Sequence, residues 1–174
     1  HAAGEITAAV MRSRKPFIAM VCGAAAGAGF NIALACDFVC ASKRAKFTQA
    51  FSSIGLISDC GGNLLLPRLV SPQTAKRLMM LPETLSAEEA QALGLVTALA
   101  EEGELREETA ALAARLAKQP PLALAQTKKL LNGGKELEDI LRAEEDIQAA
   151  LIIGEDCKEG VRAFFEKRRP EFKG

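Results

Sequence analysis

Histidine is almost absent from this sequence, which contains only His1 among its 174 residues. Five cysteines are present, but no two of them form a CxxC pair. Zinc sites usually combine cysteine and histidine at short spacings, so this composition argues against a metal site. An odd number of cysteines among apolar neighbours also fits reduced thiols in a cytoplasmic protein better than a disulfide framework.

Neither sign of charge is in excess, since 22 basic and 22 acidic residues give a formal net charge of zero. Nothing in this balance points to nucleic acid as a partner. No apolar run approaches the ~20 residues that span a bilayer, and the first residues lack the apolar centre of a signal peptide. We therefore expect no membrane partner. The chain does not begin with methionine, and we expect the natural start to lie upstream.

Strand and helix patterns alternate in the first half of the chain. Residues 17–23 and 37–42 predict buried strands, 24–36 become helical in period, and 95–100 predict a further strand. From about residue 104 the pattern is helical, with predicted helices at 104–118, 121–132, 136–153 and 156–168. We therefore predict an α/β core over residues 1–103 and a helical oligomerisation region over residues 104–174.

Four blocks of the sequence, in the same order, resemble the crotonase (enoyl-CoA hydratase/isomerase) superfamily: KPFIAMVCGAAAGAGFNIALACDFVCASKRAKF, FSSIGLISDCGGNLLLPRLV, LSAEEAQALGLV and EGVRAFFEKRRPEF. The resemblance implies a spiral of repeated strand–strand–helix (ββα) turns, followed by helices that mediate trimerisation, as a homotrimer or a hexamer. It also implies an acyl-CoA substrate, in which coenzyme A is part of the substrate and no separate cofactor is needed. The early region of the family, with the other half of the active site, is not in this sequence.

The segment Ala26-Gly27-Ala28-Gly29 lies where a strand meets a helix and has almost no side-chain bulk. Backbone N–H groups at a helix N-terminus can stabilise the negative oxygen of a thioester enolate. By resemblance, the N–H of Ala28 is one oxyanion donor, and Ala26, Gly27 and Gly29 let the thioester approach. Small residues that only permit tight packing are the alternative. A dinucleotide fingerprint is disfavoured, because Ile32 occupies its third glycine position.

The family's hydratases add water with two glutamates, and the matching positions here are Asn31 and Phe51. Asp59 stands where several family isomerases carry an acid, and its block with Phe51 looks most like the isomerases of phenylacetate degradation. The implied role of Asp59 is to move a proton from one carbon of the acyl chain to another. The alternative is that Asp59 only caps the helix that begins at Gly61.

Apolar residues around Asp59 are candidates for a pocket that raises the pKa of a carboxylate: Phe51, Ile54, Leu56 and Ile57. Cys60 lies beside Asp59, but no histidine is available to activate its thiol, so we expect it to be structural. Near the C-terminus, Phe164 and Lys167 match a family pair that contacts the adenine end of coenzyme A. The alternative interpretation is that Phe164 belongs to the hydrophobic core and that Lys167 lies in solvent at a basic helix end.

The sequence therefore predicts an enzyme, with an enoyl-CoA isomerase as the leading hypothesis. A hydratase would need carboxylates from elsewhere. A dehalogenase-like acyl-CoA hydrolase would use Asp59 as a nucleophile. A non-catalytic CoA-binding module remains open as a function of a different class.

Overall fold

Six short strands form two sheets within residues 2–54, 56–81, 83–133 and 150–173, which are the residues that this computed structural model describes. The first sheet has the order β1-β3-β6 and is parallel throughout. The second has the order β2-β4-β5, with β2 parallel and β5 antiparallel to β4. The strands are β1 Ile18–Val21, β2 Ala24–Ala26, β3 Phe38–Ser42, β4 Lys46–Thr48, β5 Thr84–Ser86 and β6 Ala98–Ala100.

The helices follow the strands in a regular order, so that β1, β2 and the next helix form one ββα turn and β3, β4 and the next helix form another. First strands of successive turns pair in one sheet, and second strands pair in the other. The α/β class and the ββα repeat expected from the sequence are confirmed. The helices are α1 Ala2–Arg12, α2 Ala28–Ala35, α3 Gly62–Leu69, α4 Pro72–Met80, α5 Ala87–Ala92, α6 Leu105–Leu116, α7 Pro121–Asn132 and α8 Glu155–Glu166, with a 3-10 turn at Ser52–Ile54.

Two predicted elements differ from the structure. The apolar run at 17–23 ends as a strand at Val21, and residues 24–26, predicted as the start of a helix, form β2 instead. Alanine has high helix propensity, but backbone pairing of Ala24–Ala26 with Lys46–Thr48 outweighs it. The predicted strand at 95–100 is shorter and covers Ala98–Ala100 only.

The helices α4 and α5 begin at capping residues that can be recognised in the sequence. The Ser71 hydroxyl accepts a hydrogen bond from the N–H of Thr74 (3.2 Å), and Pro72 is the first residue of α4. Ser86 and Glu89 form a capping box at the start of α5, which the Ser-Ala-Glu-Glu sequence there indicates. These are local patterns of three or four residues, which is why they are visible in the sequence.

The described chain divides into two compact units, one formed by His1–Met11 and Phe17–Leu112, the other by Arg12–Pro16 and Ala113–Gly174. The core of the first unit is formed by residues of α2, of both sheets and of the helices α1, α3, α4 and α5. Within it, the rings of Phe30 and Phe47 pack with their centroids 5.2 Å apart. The predicted helix 136–153 falls almost wholly outside the described residues. None of the described helices reaches the length and apolarity of a membrane-spanning helix.

Candidate active site

The turn between β2 and α2 is built around Gly27. Its N–H donates to the carbonyl of Thr48 (2.9 Å), and its own carbonyl accepts the N–H of Asn31 (3.1 Å), the first helical hydrogen bond of α2. The N–H groups of Ala28, Gly29 and Phe30 precede that bond, so α2 offers them no acceptor. Ala28 is half-buried and Gly29 is exposed, so this helix start is accessible at the surface of the unit.

Phe51 covers this turn. A β-carbon on Gly27 would lie 3.4 Å from Cζ of the Phe51 ring, and the φ of 51° at Gly27 disfavours any other residue there. The carbonyl of Phe51 also accepts the N–H of Leu56 (3.0 Å), which closes the turn that follows β4. The structure therefore brings together two of the predicted features, the glycine-rich turn and Phe51.

Behind the turn lies a buried polar network formed by Asn31, Gln49 and Ser58. The Asn31 side-chain oxygen accepts from Gln49 Nε2 (2.7 Å), and its Nδ2 donates to Ser58 Oγ (2.9 Å). The same Nδ2 donates to the backbone carbonyl of Asp59 (2.9 Å). Ser58 Oγ in turn donates to Gln49 Oε1 (3.3 Å). The network therefore joins α2, the end of β4 and the loop that carries Asp59.

The loop after Ser58 makes a tight, left-handed turn into α3. Cys60 has a φ of 47° and Gly61 a φ of 78°, and the carbonyl of Asp59 accepts the N–H of Gly62 (2.8 Å). The hydroxyl of Thr7, on α1, donates to the carbonyl of Cys60 (2.9 Å). A positive φ is rare outside glycine, so Cys60 is strained and the contacts on both sides keep it in place.

The side chain of Asp59 is exposed, whereas the sequence placed it in an apolar pocket. Leu56 and Ile57 are 58% and 84% exposed, and the side chain of Ile54 lies outside the described residues. Leu56 and Ile57 instead line an adjacent groove of about 520 Å³, together with residues of α3 and α4. Ser58, which lies between Ile57 and Asp59, is buried and hydrogen-bonded to Asn31 and Gln49, whereas both of its neighbours are exposed.

The alternative hypothesis, that Asp59 caps α3, does not fit the position of Asp59 relative to the helix. The N-cap of α3 is Gly61, and no side-chain hydrogen bond is made from that position. Burial and the neighbouring Asp59 carboxylate raise the pKa of the Cys60 thiol, which argues against Cys60 as a nucleophile.

Within the described ranges, no three or more His, Cys, Asp or Glu side chains are grouped so as to hold a metal ion.

The predicted C-terminal pair lies in the second unit. Lys167 is exposed, with a φ of 54°, directly after α8, while the side chain of Phe164 lies outside the described residues. The backbone N–H of Arg168 donates to the carbonyl of Ala163 (3.1 Å), which closes the end of the helix. The CoA contact assigned to Phe164 and Lys167 stays a prediction.

Nothing in the sequence predicted the hydrogen bonds that hold residues 168–173 against α8. We call this set of bonds the clasp. The guanidinium of Arg168 donates to both carboxylate oxygens of Glu159 (2.6 and 2.9 Å), and the N–H of Glu171 donates to Glu159 Oε1 (3.0 Å). The N–H of Lys173 donates to Asp156 (2.7 Å). These bonds hold residues 168–173 against α8 and thereby set the direction in which the chain leaves Lys167.

The clasp should open in acid. The hydrogen bonds from Arg168 and from the Glu171 N–H lower the pKa of Glu159 from 4.5 to about 2. Because the pKa of Glu159 is lower in the folded protein than its ordinary value, the ionised carboxylate stabilises the fold at pH values above 4.5. This contribution is lost as the pH falls from 4.5 towards 2. We expect amide hydrogen exchange in 168–173 to lose protection over this range, beyond the intrinsic pH effect. Glu159→Gln should raise exchange a few-fold at pH 6. Glu166 accepts only the Nε hydrogen bond of Arg168 (2.5 Å), so Glu166→Gln should raise it less. Equal effects of the two variants would contradict this assignment.

Comparison with known proteins places these features in a family. The family model described as enoyl-CoA hydratase/isomerase matches residues 3–174. The 1,2-epoxyphenylacetyl-CoA isomerase of Escherichia coli is 41% identical over 162 residues, covering 92% of this chain and 62% of that protein. A Rhodobacter capsulatus protein named "Probable enoyl-CoA hydratase" is 42% identical over 161 residues, covering 91% of this chain and 63% of that protein.

The solved structures agree. The crystal structure of an enoyl-CoA hydratase from Polaromonas sp. JS666 matches with a TM-score of 0.94 at 37% identity, over 98% of this chain and 67% of that one. The chain thus spans somewhat less than two thirds of the curated relatives above. The resemblance inferred from the sequence and the crotonase-like fold are both confirmed.

Proposed function

We propose, since the chain belongs to the enoyl-CoA hydratase/isomerase family, that it is part of an enzyme that moves a double bond within an enoyl-CoA thioester. The observation that carries the proposal is the hydrogen bonding of the buried Asn31 side chain. Both polar atoms of its side chain are bound to protein partners, and the side chain is fully buried. No acid stands at position 31 or 51, where the hydratases carry their glutamates, whereas Asp59 is attached to the same helix.

The proposed reaction needs a negative oxygen to be stabilised. A thioester carbonyl beside the N–H of Ala28 would receive a hydrogen bond at the start of α2, where the helix dipole is positive. Ala28 and Asn31 are three residues apart and therefore share a face of α2. The carbonyl of Asp59 is bound to Asn31, so the Asp59 backbone is attached to the first turn of α2, which begins with the proposed oxyanion donor.

The proton balance is simple. The Asp59 carboxylate would take a proton from one carbon of the acyl chain, and the electron pair would move into the thioester to form the enolate. The same carboxyl would return the proton to a second carbon, so the product is an isomer of the substrate. A bound acyl group would cover the exposed carboxylate and exclude water from it.

A hydratase is the second candidate, because several relatives and solved structures carry that name, among them the Rhodobacter capsulatus protein and the Polaromonas structure. Hydration in the family uses two carboxylates, and neither Asn31 nor Phe51 can exchange a proton as a carboxylate does. Water addition would then have to use acids elsewhere.

Product mass separates the two reactions. The purified enzyme that contains this chain should convert a 3-enoyl-CoA to its 2-enoyl isomer without change of mass in H₂O, and should hydrate crotonyl-CoA very poorly. The hydrated thioester is identified by its added mass of one water, whereas the isomer has the mass of the substrate and must be separated from it by liquid chromatography. The isomer made in D₂O should carry solvent deuterium if proton transfer is the step. Robust formation of the hydrated thioester, with no isomer, would reject the isomerase proposal.

The remaining assignments are also proposals. Phe164 and Lys167 would contact coenzyme A, an aromatic face against adenine and an ammonium group against phosphate. Residues 104–174 would form the subunit contacts of a trimer or a hexamer, as the family resemblance implies. Coenzyme A would enter as part of the substrate, and the enzyme would act in the cytoplasm.

A further inference from the structure

Besides replacing the glutamate of the hydratases, Asn31 makes an unusually complete set of hydrogen bonds. Its side chain is 0% exposed, and it makes three hydrogen bonds, one through Oδ1 and two through Nδ2. An asparagine amide has one acceptor and two donor hydrogens, and both donors are in use here. A buried polar group is costly unless it is paired, so this complete pairing makes a rigid point in the fold.

The bond to Asp59 is the one that reaches the proposed site. The carbonyl of Asp59 accepts Asn31 Nδ2 on one side (2.9 Å) and the N–H of Gly62 on the other (2.8 Å). It therefore links α2 to the start of α3. Ser58, the preceding residue, is held by the same Nδ2 (2.9 Å). Two consecutive loop residues are thus attached to one side chain, and the exposed carboxylate of Asp59 projects from a fixed backbone.

The surroundings select an amide at this position. Gln49 Nε2 donates to Asn31 Oδ1, which leaves Nδ2 to face the Asp59 carbonyl. Aspartate would turn an oxygen towards that carbonyl, so this contact would become repulsive, whereas the Ser58 hydroxyl could reorient and donate. The longer glutamate has no room, because a single β-carbon on Gly62 would already lie 2.4 Å from Asn31 Nδ2.

We infer that Asn31 is a positioning residue, which holds the Asp59 backbone against α2 and so sets where the Asp59 carboxylate meets the substrate. Gln49 orients the Asn31 amide for this purpose. The inference rests on the proposed function for the catalytic role of Asp59, but the attachment of the loop can be measured without any assay of activity.

The experiment compares Asn31→Asp with Gln91→Glu, the same amide-to-acid change at an exposed residue of α5. Amide hydrogen exchange of the peptide 56–62 should become about ten- to a hundredfold faster in Asn31→Asp, and exchange in 84–92 should stay unchanged. In the enzyme, kcat for isomerisation should fall at least severalfold, because the Asp59 carboxylate is held less precisely, while KM for the thioester changes little. Gln91→Glu should match the parent protein in every measurement.

Each outcome decides a separate point. Unchanged exchange in 56–62 would overturn the positioning role, whatever the activity. Faster exchange in a protein whose parent form makes no isomer would keep the attachment but reject the proposed function. A fall in activity through KM alone would also overturn the positioning role. If Asn31→Asp does not fold, Ser58→Ala is the second variant: it removes one of the two attachments and should speed exchange in 56–62 two- to fivefold, and no change there would reject the inference.

Discussion

Replacing Asp59 with asparagine is expected to lower the rate of isomerisation by at least a hundredfold, while the fold and the affinity for CoA thioesters stay nearly intact. The change keeps the shape of the side chain but removes the group that accepts and returns the proton, and positioned acid–base groups contribute typically 10²–10⁴-fold. The exposed carboxylate contributes little to packing, so its replacement should leave the fold intact. Turnover of a 3-enoyl-CoA and the melting temperature should be measured on the same preparation.

A matched control is Glu88→Gln, an acid-to-amide change at an exposed position of α5. Its turnover should equal that of the unmodified enzyme. If Asp59→Asn keeps full turnover, the assignment of Asp59 is wrong. If the unmodified enzyme instead accumulates an acyl group covalently bound to Asp59, visible by mass spectrometry, Asp59 acts as a nucleophile, as in the dehalogenase-like alternative.

The parts of the site that the sequence predicted are those set by local patterns. Gly27 follows an apolar strand and precedes a helical period, so the strand-to-helix turn could be placed from the chain alone. The caps at Ser71 and Ser86 have the same local origin. The lengths of the short strands depend instead on pairing partners distant in sequence, and β5 was therefore missed.

The polar network could not be predicted for a related reason. Asn31, Gln49 and Ser58 are separated by 9 to 27 positions in the sequence, and nothing in their spacing marks them as partners. Thr7 lies 53 positions from Cys60, whose carbonyl it binds. From the sequence, Asn31 showed only that a glutamate of the hydratases is replaced by an amide. The structure adds that this amide makes three hydrogen bonds, which attach the loop of Asp59 to α2.

Asp59 illustrates the opposite failure. Apolar neighbours in sequence predicted a buried carboxylate, but burial along this loop changes from one residue to the next. Ser58 points inward to Asn31, and Ile57 and Asp59 point outward. A hydrophobic sequence around an acid therefore does not by itself place the acid in an apolar pocket.

Replacing Gly62 with alanine is expected to have the largest effect on stability. Gly62 is buried at the start of α3, and a β-carbon there would lie 2.3 Å from Ser58 Oγ and 2.4 Å from Asn31 Nδ2. Neither neighbour can move without breaking hydrogen bonds of the buried network. Overpacking costs about 1–3 kcal/mol and a buried polar group left unpaired a similar amount, so the free energy of unfolding should fall by roughly 2–5 kcal/mol.

Gly23→Ala is the matched control, because no atom lies within 4 Å of its β-carbon position. It should change the free energy of unfolding by no more than about 0.5 kcal/mol. Urea denaturation with the slope compared between variants measures both changes. Alanine is intrinsically better than glycine within a helix by about 1 kcal/mol, so without a steric conflict Gly62→Ala would stabilise the protein. A stability equal to or above that of the unmodified protein would therefore show that the network yields to the added methyl group, and the rigid attachment of Asp59 would lose its structural basis.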